Sequence, residues 1–375
     1  MRFIATADWQ LGMPANYLDE QARPRYHQAR LDAVRRIGEL AAERRAQFVL
    51  VCGDVFDSNQ LDRAIVARTF EVLRRFTVPV VLLPGNHDTL DAMSIYSSPA
   101  FTDRVPDGVH VLRDCTPVEV VPGVEVVGAP WFSKRPQSDL VADACSSLQQ
   151  PADGVVRIIA GHGAVSGLDP DRDSQSTISL DGMEASLASS MAHMFLLGDR
   201  HGTHQVGEKI WYPGTPEVTA RREVDPGNVL LVDLDTDDVC VEKIRVGRWH
   251  FTTVTWHFTG AQDVEALARH LDQMPDKDRT AVWLSLTGTV STATKARLDQ
   301  VLEEAGQLFA RLDMWQRHMD LAVIPEDEDF ADLGLGGFAE DAVKELSVMA
   351  KLGTDDAHVA QDALGLLYRL VGGSR

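Results

Sequence analysis

Along the chain, short mainly apolar runs alternate with stretches in which apolar residues recur every three or four positions. The runs at 2–7, 48–52 and 78–83 read as buried strands, and two amphipathic helices lie between them. In the first helix, 26–45, Leu31, Val34, Ile37 and Leu40 share a face; in the second, 62–76, Ile65, Val66, Phe70 and Leu73 do. Strands spaced by helices in this way build parallel βαβ units. After residue 105 the texture changes to strands at 109–112, 118–121, 124–127, 155–160, 194–197, 209–212, 229–233 and 239–246. Pro122-Gly123 turns a hairpin, and a long polar loop is expected over 166–182. These strands read as the second layer of a sheet sandwich.

A smaller unit begins near residue 249: strand 251–258, helix 261–274, strand 281–287, helix 292–305 and a third strand at 308–312. An acidic linker opens at Pro325-Glu326-Asp327-Glu328-Asp329, a glycine-rich stretch follows over 333–337, and helices are expected at 339–351 and 356–370. The chain thus divides into 1–248, 249–324 and 325–375. Val343, Leu346 and Ala350 form one stripe and Leu364, Leu367 and Leu370 another; such stripes pack into cores more often than they bind partners.

Composition alters this picture little. Of 375 residues, 44% are hydrophobic and 25% charged, ordinary for a soluble globular chain. No run approaches the roughly 18 consecutive apolar residues of a membrane span. The N-terminus enters a strand without a signal-peptide pattern, so a cytoplasmic protein that does not engage membranes is expected. Cys52, Cys115, Cys145 and Cys240 have no paired spacing and read as small buried thiols. Charge matters more. A net charge of −20 opposes nucleic-acid binding, which favours a basic surface, although bound metal ions or a basic partner change the local field.

Five apolar strands end in polar clusters: Asp8 and Gln10, Asp54, Asn86 and His87, His162, and Asp199 and His201. Ligands of open α/β sheets bind at the carboxyl ends of strands, where these clusters could converge. Oxygen and nitrogen donors without a thiolate suit manganese, iron or zinc, and Asp54 on a central strand is the natural bridge between two ions. In Gly85-Asn86-His87-Asp88, Asn86 offers a hard amide oxygen, His87 a proton-donating imidazole and Asp88 a carboxylate to orient that ring. Gly85 lets the backbone turn sharply out of the strand. Each cluster alone also reads as a turn or a satisfied core histidine; their shared placement after an apolar strand favours a site.

The order Asp8-Trp9-Gln10, Gly53-Asp54-Val55-Phe56-Asp57, Gly85-Asn86-His87-Asp88, His162 and Gly198-Asp199-Arg200-His201 resembles the calcineurin-like metallophosphoesterases. Thr6-Ala7-Asp8-Trp9-Gln10-Leu11-Gly12 and Tyr212-Pro213-Gly214-Thr215-Pro216-Glu217 are similar to the SbcD-type exonuclease subunits of that family. The resemblance implies a four-layer α/β/β/α sandwich with a smaller α/β C-terminal capping domain. It implies two divalent ions, Mn2+ first and Mg2+ or Fe2+ as options. One ion would be held by Asp8, Gln10, Asp54 and His201, the other by Asp54, Asn86, His162 and Asp199. A hydroxide from the shared water would attack phosphorus, and His87, backed by Asp88, would protonate the leaving oxygen. The implied role is a DNA exonuclease or endonuclease subunit in DNA repair. Its partners would be DNA, an SbcC-like coiled-coil ATPase seated on the C-terminal helices, and a second copy through 26–45 or 62–76.

Two positions depart from the family pattern, which has histidine where Gln10 and Asp199 stand here. An aspartate makes its site more anionic and favours manganese or magnesium over zinc. A glutamine ligates weakly, so the first ion would be the weaker, with His204 nearby on the following loop. Two alternatives remain. One is a phosphodiesterase or phosphatase for small nucleotides, which the acidity supports; the other is a catalytically weakened scaffold for the ATPase, which Gln10 supports.

Overall fold

The three leading apolar runs form β1 (Arg2–Thr6), β2 (Val49–Cys52) and β3 (Val80–Leu83), joined by α1 (Ala22–Glu43) and α2 (Arg63–Leu73). A short α3 (Pro99–Thr102) leads to β4 (Val109–Val111), then the hairpin β5 (Val118–Val121) and β6 (Val124–Gly128). Next come α4 (Leu140–Ser146), β7 (Val156–His162), α5 (Leu180–Ala188) and β8 (Met194–Gly198). Strands β9 (His204–Gly207), β10 (Ile210–Tyr212), β11 (Asn228–Leu234) and β12 (Val239–Arg245) complete the first of two units, Met1–Trp249 and His250–Arg375. This computed structural model describes residues 1–168, 176–324, 337–351, 359–360 and 363–364.

Two six-stranded sheets, ordered β12-β11-β1-β2-β3-β4 and β5-β6-β7-β8-β10-β9, build the first unit. Alternation along each strand dictates the layers. β1 sends Ile4 to a core beneath Val34, Ile37, Val66 and Phe70 of α1 and α2, and Phe3 and Ala5 to the opposite face. β2 divides likewise, Val49 and Val51 one way and Leu50 and Cys52 the other. That second core lies between the sheets and takes in Val126, Ile158, Ala160 and Leu196. The outer residues Ile159, Phe195 and Leu197 pack on Val141 and Ala144 of α4 and Met183 of α5. The result is the expected four-layer α/β/β/α sandwich.

β1 to β4 run parallel, as do β6, β7 and β8, so the polar clusters all leave from carboxyl ends. The two sheets meet closely there. A Cβ on Gly198 would stand 1.8 Å from the Cys52 carbonyl oxygen and 2.5 Å from His162 Nδ1.

The second unit is a parallel sheet. β14 (Thr280–Ser291) pairs β13 (His250–Phe258) on one side, and β15 (Arg311–Met314) then β16 (Asp320–Ile324) on the other. Helices α6 (Ala261–Gln273) and α7 (Thr292–Gly306) intervene, with Val264, Leu267 and Leu298 meeting Val254, Leu284 and Leu286 in its core. α8 (Phe338–Lys351) is the helix expected at 339–351.

Several features differ from the sequence reading. Of the four cysteines expected to be buried, Cys52 is, whereas Cys115 and Cys145 are half-buried and Cys240 is exposed on β12. α4 and α5 fall where no helix is expected, the latter starting inside the polar stretch 166–182. Both are too short to display a helical period, and their starts are set by caps: Asp139 accepts from Val141 N and Ala142 N, and Ser179 from Gly182 N. β15 begins later than 308, β14 runs past 287 because β16 extends its pairing, and β9 stands where a loop is expected. The acidic linker 325–329 lies outside the described residues, as does most of the helix expected at 356–370. Among the described residues no helix is long and apolar enough to cross a membrane.

Gly198→Ala should overpack the junction of the sheets and lower unfolding stability by about 2–3 kcal/mol. A denaturant midpoint equal to wild type, at equal slope, would contradict the close approach of β8 to β2.

Candidate metal centre

The loops after β1 and β2 are zipped together by their backbones. Asp8 N donates to Gly53 O at 3.0 Å, Gln10 N to Asp54 O at 2.8 Å and Leu11 N to Val55 O at 2.9 Å. From α1 the buried Arg30 guanidinium donates to the Trp9 carbonyl and, at 2.9 Å, to the Tyr26 hydroxyl. Thr215 Oγ1 donates to Asp8 O at 2.8 Å, and Thr215 N to His201 O at 2.9 Å, so the segment 212–217 is a brace. This scaffold holds Asp8, Gln10, Asp54 and Asp199 at φ of 53°, 41°, 53° and 82°. Left-handed backbone costs a non-glycine residue roughly 1–3 kcal/mol and gathers at functional sites.

Asp8, Asp54 and His162 are buried, and one ligand atom from each lies within 4.8 Å of the others. His162 Nδ1 is 3.0 Å from the Cys52 carbonyl oxygen, which can only accept, so Nδ1 carries a proton and Nε2 is the ring atom turned inward, with a lone pair there once the ring is neutral. That Nε2 is 3.5 Å from Asp54 Oδ2. The end of the Asn86 amide lies 2.9 Å from His162 Nε2 and 3.2 and 3.0 Å from the Asp54 oxygens. With the amide oxygen in that position, several electron-pair donors face one another, the arrangement a cation relieves. With the nitrogen there, the same atoms pair as hydrogen bonds. Asp8 Oδ1 accepts from Asp199 N at 3.1 Å, whereas the buried Asp8 Oδ2 has no hydrogen-bond partner. A buried carboxylate oxygen without a donor is costly. The donor set and this orphaned oxygen fit a hard divalent cation.

Electrostatics point the same way. Burial pushes the Asp8 carboxyl up to about 7, against the pull of His201 and His162. Burial would lower His201, but its bond to Glu223 and the Asp8 charge hold it at about 9. Burial opposes the charge on His162 too, and the Asp54 carboxylate still raises it well above the ordinary imidazole range. The cluster demands positive charge, from protons or from a cation.

The other expected residues divide. His87 lies at the mouth, its ring 41% exposed, with its backbone N donating to Asp54 Oδ1 at 2.9 Å and Nε2 3.9 Å from Asp54 Oδ2. Its ring is oriented by Nδ1 donating to the Asp57 carbonyl at 2.9 Å. Asp88 does not perform that task. Its Oδ1 accepts from Gly85 N at 2.7 Å and its Oδ2 from Phe56 N at 3.0 Å and the Tyr96 hydroxyl at 2.6 Å, so it ties the loop from beneath. Consecutive side chains diverge, and His87 and Asp88 point apart. Gly85 is needed for space rather than for a turn: a Cβ there would stand 2.2 Å from Asp54 Oδ1. Gln10 and His201 pair with each other, Nε2 to Nε2 at 3.2 Å. Asp199 enters through its backbone donation to Asp8, and His204 belongs to β9, opposite Tyr212.

Sequence reasoning missed Glu223 and Thr219, whose Oε1 and Oγ1 lie 2.7 and 2.6 Å from His201 Nδ1. It also missed Trp131, whose indole N–H donates to His162 O at 2.7 Å. An acid after two arginines carries no signal of this kind, and the Cys52 and Asp57 carbonyls carry none in any sequence.

Comparison with known proteins yields a match of residues 1–188 to the calcineurin-like phosphoesterase family. The uncharacterized metallophosphoesterase YhaO of Bacillus subtilis is 24% identical over 372 residues, covering 91% of this chain and 86% of that one. The DNA double-strand break repair protein Mre11 of Haloferax volcanii is 23% identical over 356 residues, covering 92% and 73%. Among solved structures, a dimetal phosphatase from Danio rerio aligns over 66% of this chain and 96% of its own, with a TM-score of 0.41 and 15% identity.

Asp8 and His162 must lose their protons to ligate: Asp8 holds its proton to about 7, and His162 is held protonated well above the ordinary imidazole range. Affinity for Mn2+ should therefore rise with pH from about 7 upward, and binding should release protons. Calorimetry in buffers of different ionisation enthalpy measures both; a flat affinity with no proton release would contradict these charge states.

Proposed function

The chain belongs to the calcineurin-like phosphoesterase family, and from that premise we propose that it is a metal-dependent phosphodiesterase that cleaves DNA together with a coiled-coil ATPase. The observation that carries the reading is the convergence of Asp8, Asp54, Asn86 and His162 beneath a half-buried His87 at the mouth. Asp8, Asp54, Asn86 and His162 would hold a divalent ion, with Asp199 and His201 beside them. Such an ion supplies Lewis acidity toward the phosphoryl oxygens and acidifies water. The rest is done by the chain. Asp54 is shared between the two halves of the site, and its Oδ1, which accepts from the His87 backbone N, ties the acid to the ligands. His87 Nε2 faces the cluster and delivers its proton to the leaving oxygen, while the Asp57 carbonyl fixes the ring through Nδ1. Four carboxylate or amide side chains against two imidazoles favour Mn2+ or Mg2+.

DNA as the substrate is supported by similarity to the Haloferax repair protein over 92% of the chain, a span that includes the second unit. In this reading residues 249–324 are a capping domain. α8, with Val343 buried and Phe338 and Val348 exposed, is the seat of the ATPase. The net charge of −20 favours a second reading, a phosphodiesterase for small nucleotides that needs no basic surface.

The test is linear DNA with Mn2+, with and without the ATPase, beside a small aryl phosphodiester. Wild type should cut DNA, and His87→Ala should lose about 10²–10⁴-fold in turnover with its metal content unchanged. Hydrolysis of the small diester alone would select the second reading.

A further inference from the structure

Beside the buried cluster stands a pair of side chains whose geometry sets them apart from it. His201 Nδ1 lies 2.7 Å from Glu223 Oε1, and a carboxylate can only accept, so Nδ1 bears a proton. Glu223 is itself held, accepting from Thr219 N at 2.8 Å, and is 7% exposed on its side chain. Nε2 is thus the one ring atom with which His201 could ligate. That atom already has a partner, Gln10 Nε2 at 3.2 Å.

A carboxamide suits this position whatever the state of the ring. Its N–H donates to the lone pair of a neutral imidazole; turned over, its oxygen accepts from a protonated one. A histidine at position 10 would bring another lone pair to the same place. Gln10 is 5% exposed, and its backbone N bonds to Asp54 O at 2.8 Å, so the amide is held where it meets His201. Among the described residues the compact ligand group is Asp8, Asp54 and His162, without His201.

We propose that Gln10 is a latch that keeps His201 out of the metal centre, so that this chain binds one divalent ion tightly and a second only weakly. The tight ion takes Asp8, Asp54, Asn86 and His162; the second requires the Gln10–His201 pair to part. This rests on reading the site as a metal centre. Glu223 is the positioning residue of the latch, since it fixes which nitrogen of His201 Gln10 meets.

Titrating metal-stripped full-length protein with Mn2+, by calorimetry and by electron paramagnetic resonance, tests it. Wild type should take up one equivalent tightly and show the signal of an isolated ion. Gln10→His should tighten the second equivalent by about tenfold or more and give the spectrum of a coupled pair. Gln10→Ala, which removes the amide without adding a ligand, should also tighten the second ion and guards against misfolding of the histidine variant. Two equally tight ions in wild type, or a second ion unchanged in both variants, would overturn the latch while leaving the metal centre in place. No Mn2+ binding at all would overturn the centre and the latch together.

Discussion

The Cys52 carbonyl oxygen, at the carboxyl end of β2, lies 3.0 Å from His162 Nδ1 at the end of β7 in the other sheet. This contact joins the two sheets where the polar clusters emerge, and it sets the chemistry of the centre. It occupies one imidazole nitrogen as a donor and so aims the other nitrogen at Asp54 and Asn86. Gly198 makes the approach possible by having no side chain to fill the gap. Packing between the sheets reaches the same place: Cys52, Ala160 and Leu196 belong to one core, and the ends of their strands carry the candidate ligands. The site is thus an extension of the sandwich rather than an addition to it.

Assembling such a site is costly. Two carboxylates are buried together, and four residues adopt left-handed backbone at roughly 1–3 kcal/mol each. The backbone ladder between the loops after β1 and β2, with Arg30 and Thr215 behind it, resists relaxation of that strain. A bound cation would return stability in proportion to its affinity, about 2.7 kcal/mol at a hundredfold excess over its dissociation constant. Protons on Asp8 and His201 meet part of the same demand for positive charge. The acidity of the chain as a whole therefore does not describe the site, where the sign that matters is set within a few ångströms.

Much of this was legible in the sequence because it follows from period and adjacency. β2 and β3 are uninterrupted apolar runs, β1 is apolar over Phe3–Ala5, and α1 and α2 repeat at helical spacing. The candidate ligands stand directly after such runs, and strand ends converge in parallel sheets. What was illegible follows from the same rules. α4 and α5 are too short for a period, and only their capping residues mark them. β16 is recognisable by its pairing with the far half of β14, which no local pattern announces. Asp88 is illegible for another reason: neighbours in sequence need not be neighbours in space, and its carboxylate serves Gly85, Phe56 and Tyr96. The groups that orient the rings are backbone carbonyls of Cys52 and Asp57, which any residue would supply, and Glu223, far along the chain.

The two halves of the centre are built differently, and this bears on how its chemistry can vary. Around Asp54 and His162 the decisive contacts are backbone ones, fixed once the sheets have packed. Around His201 they are made by the side chains of Gln10, Glu223 and Thr219. The backbone of residue 10 bonds to Asp54 whatever its side chain, so exchanging that side chain leaves the ladder between β1 and β2 intact. The backbone bond at position 10 is therefore independent of its side chain, while the partner of His201 Nε2 depends on it entirely. A single residue can alter the number of ions such a centre holds without disturbing the scaffold, and the departure at Gln10 falls at the position where this is possible.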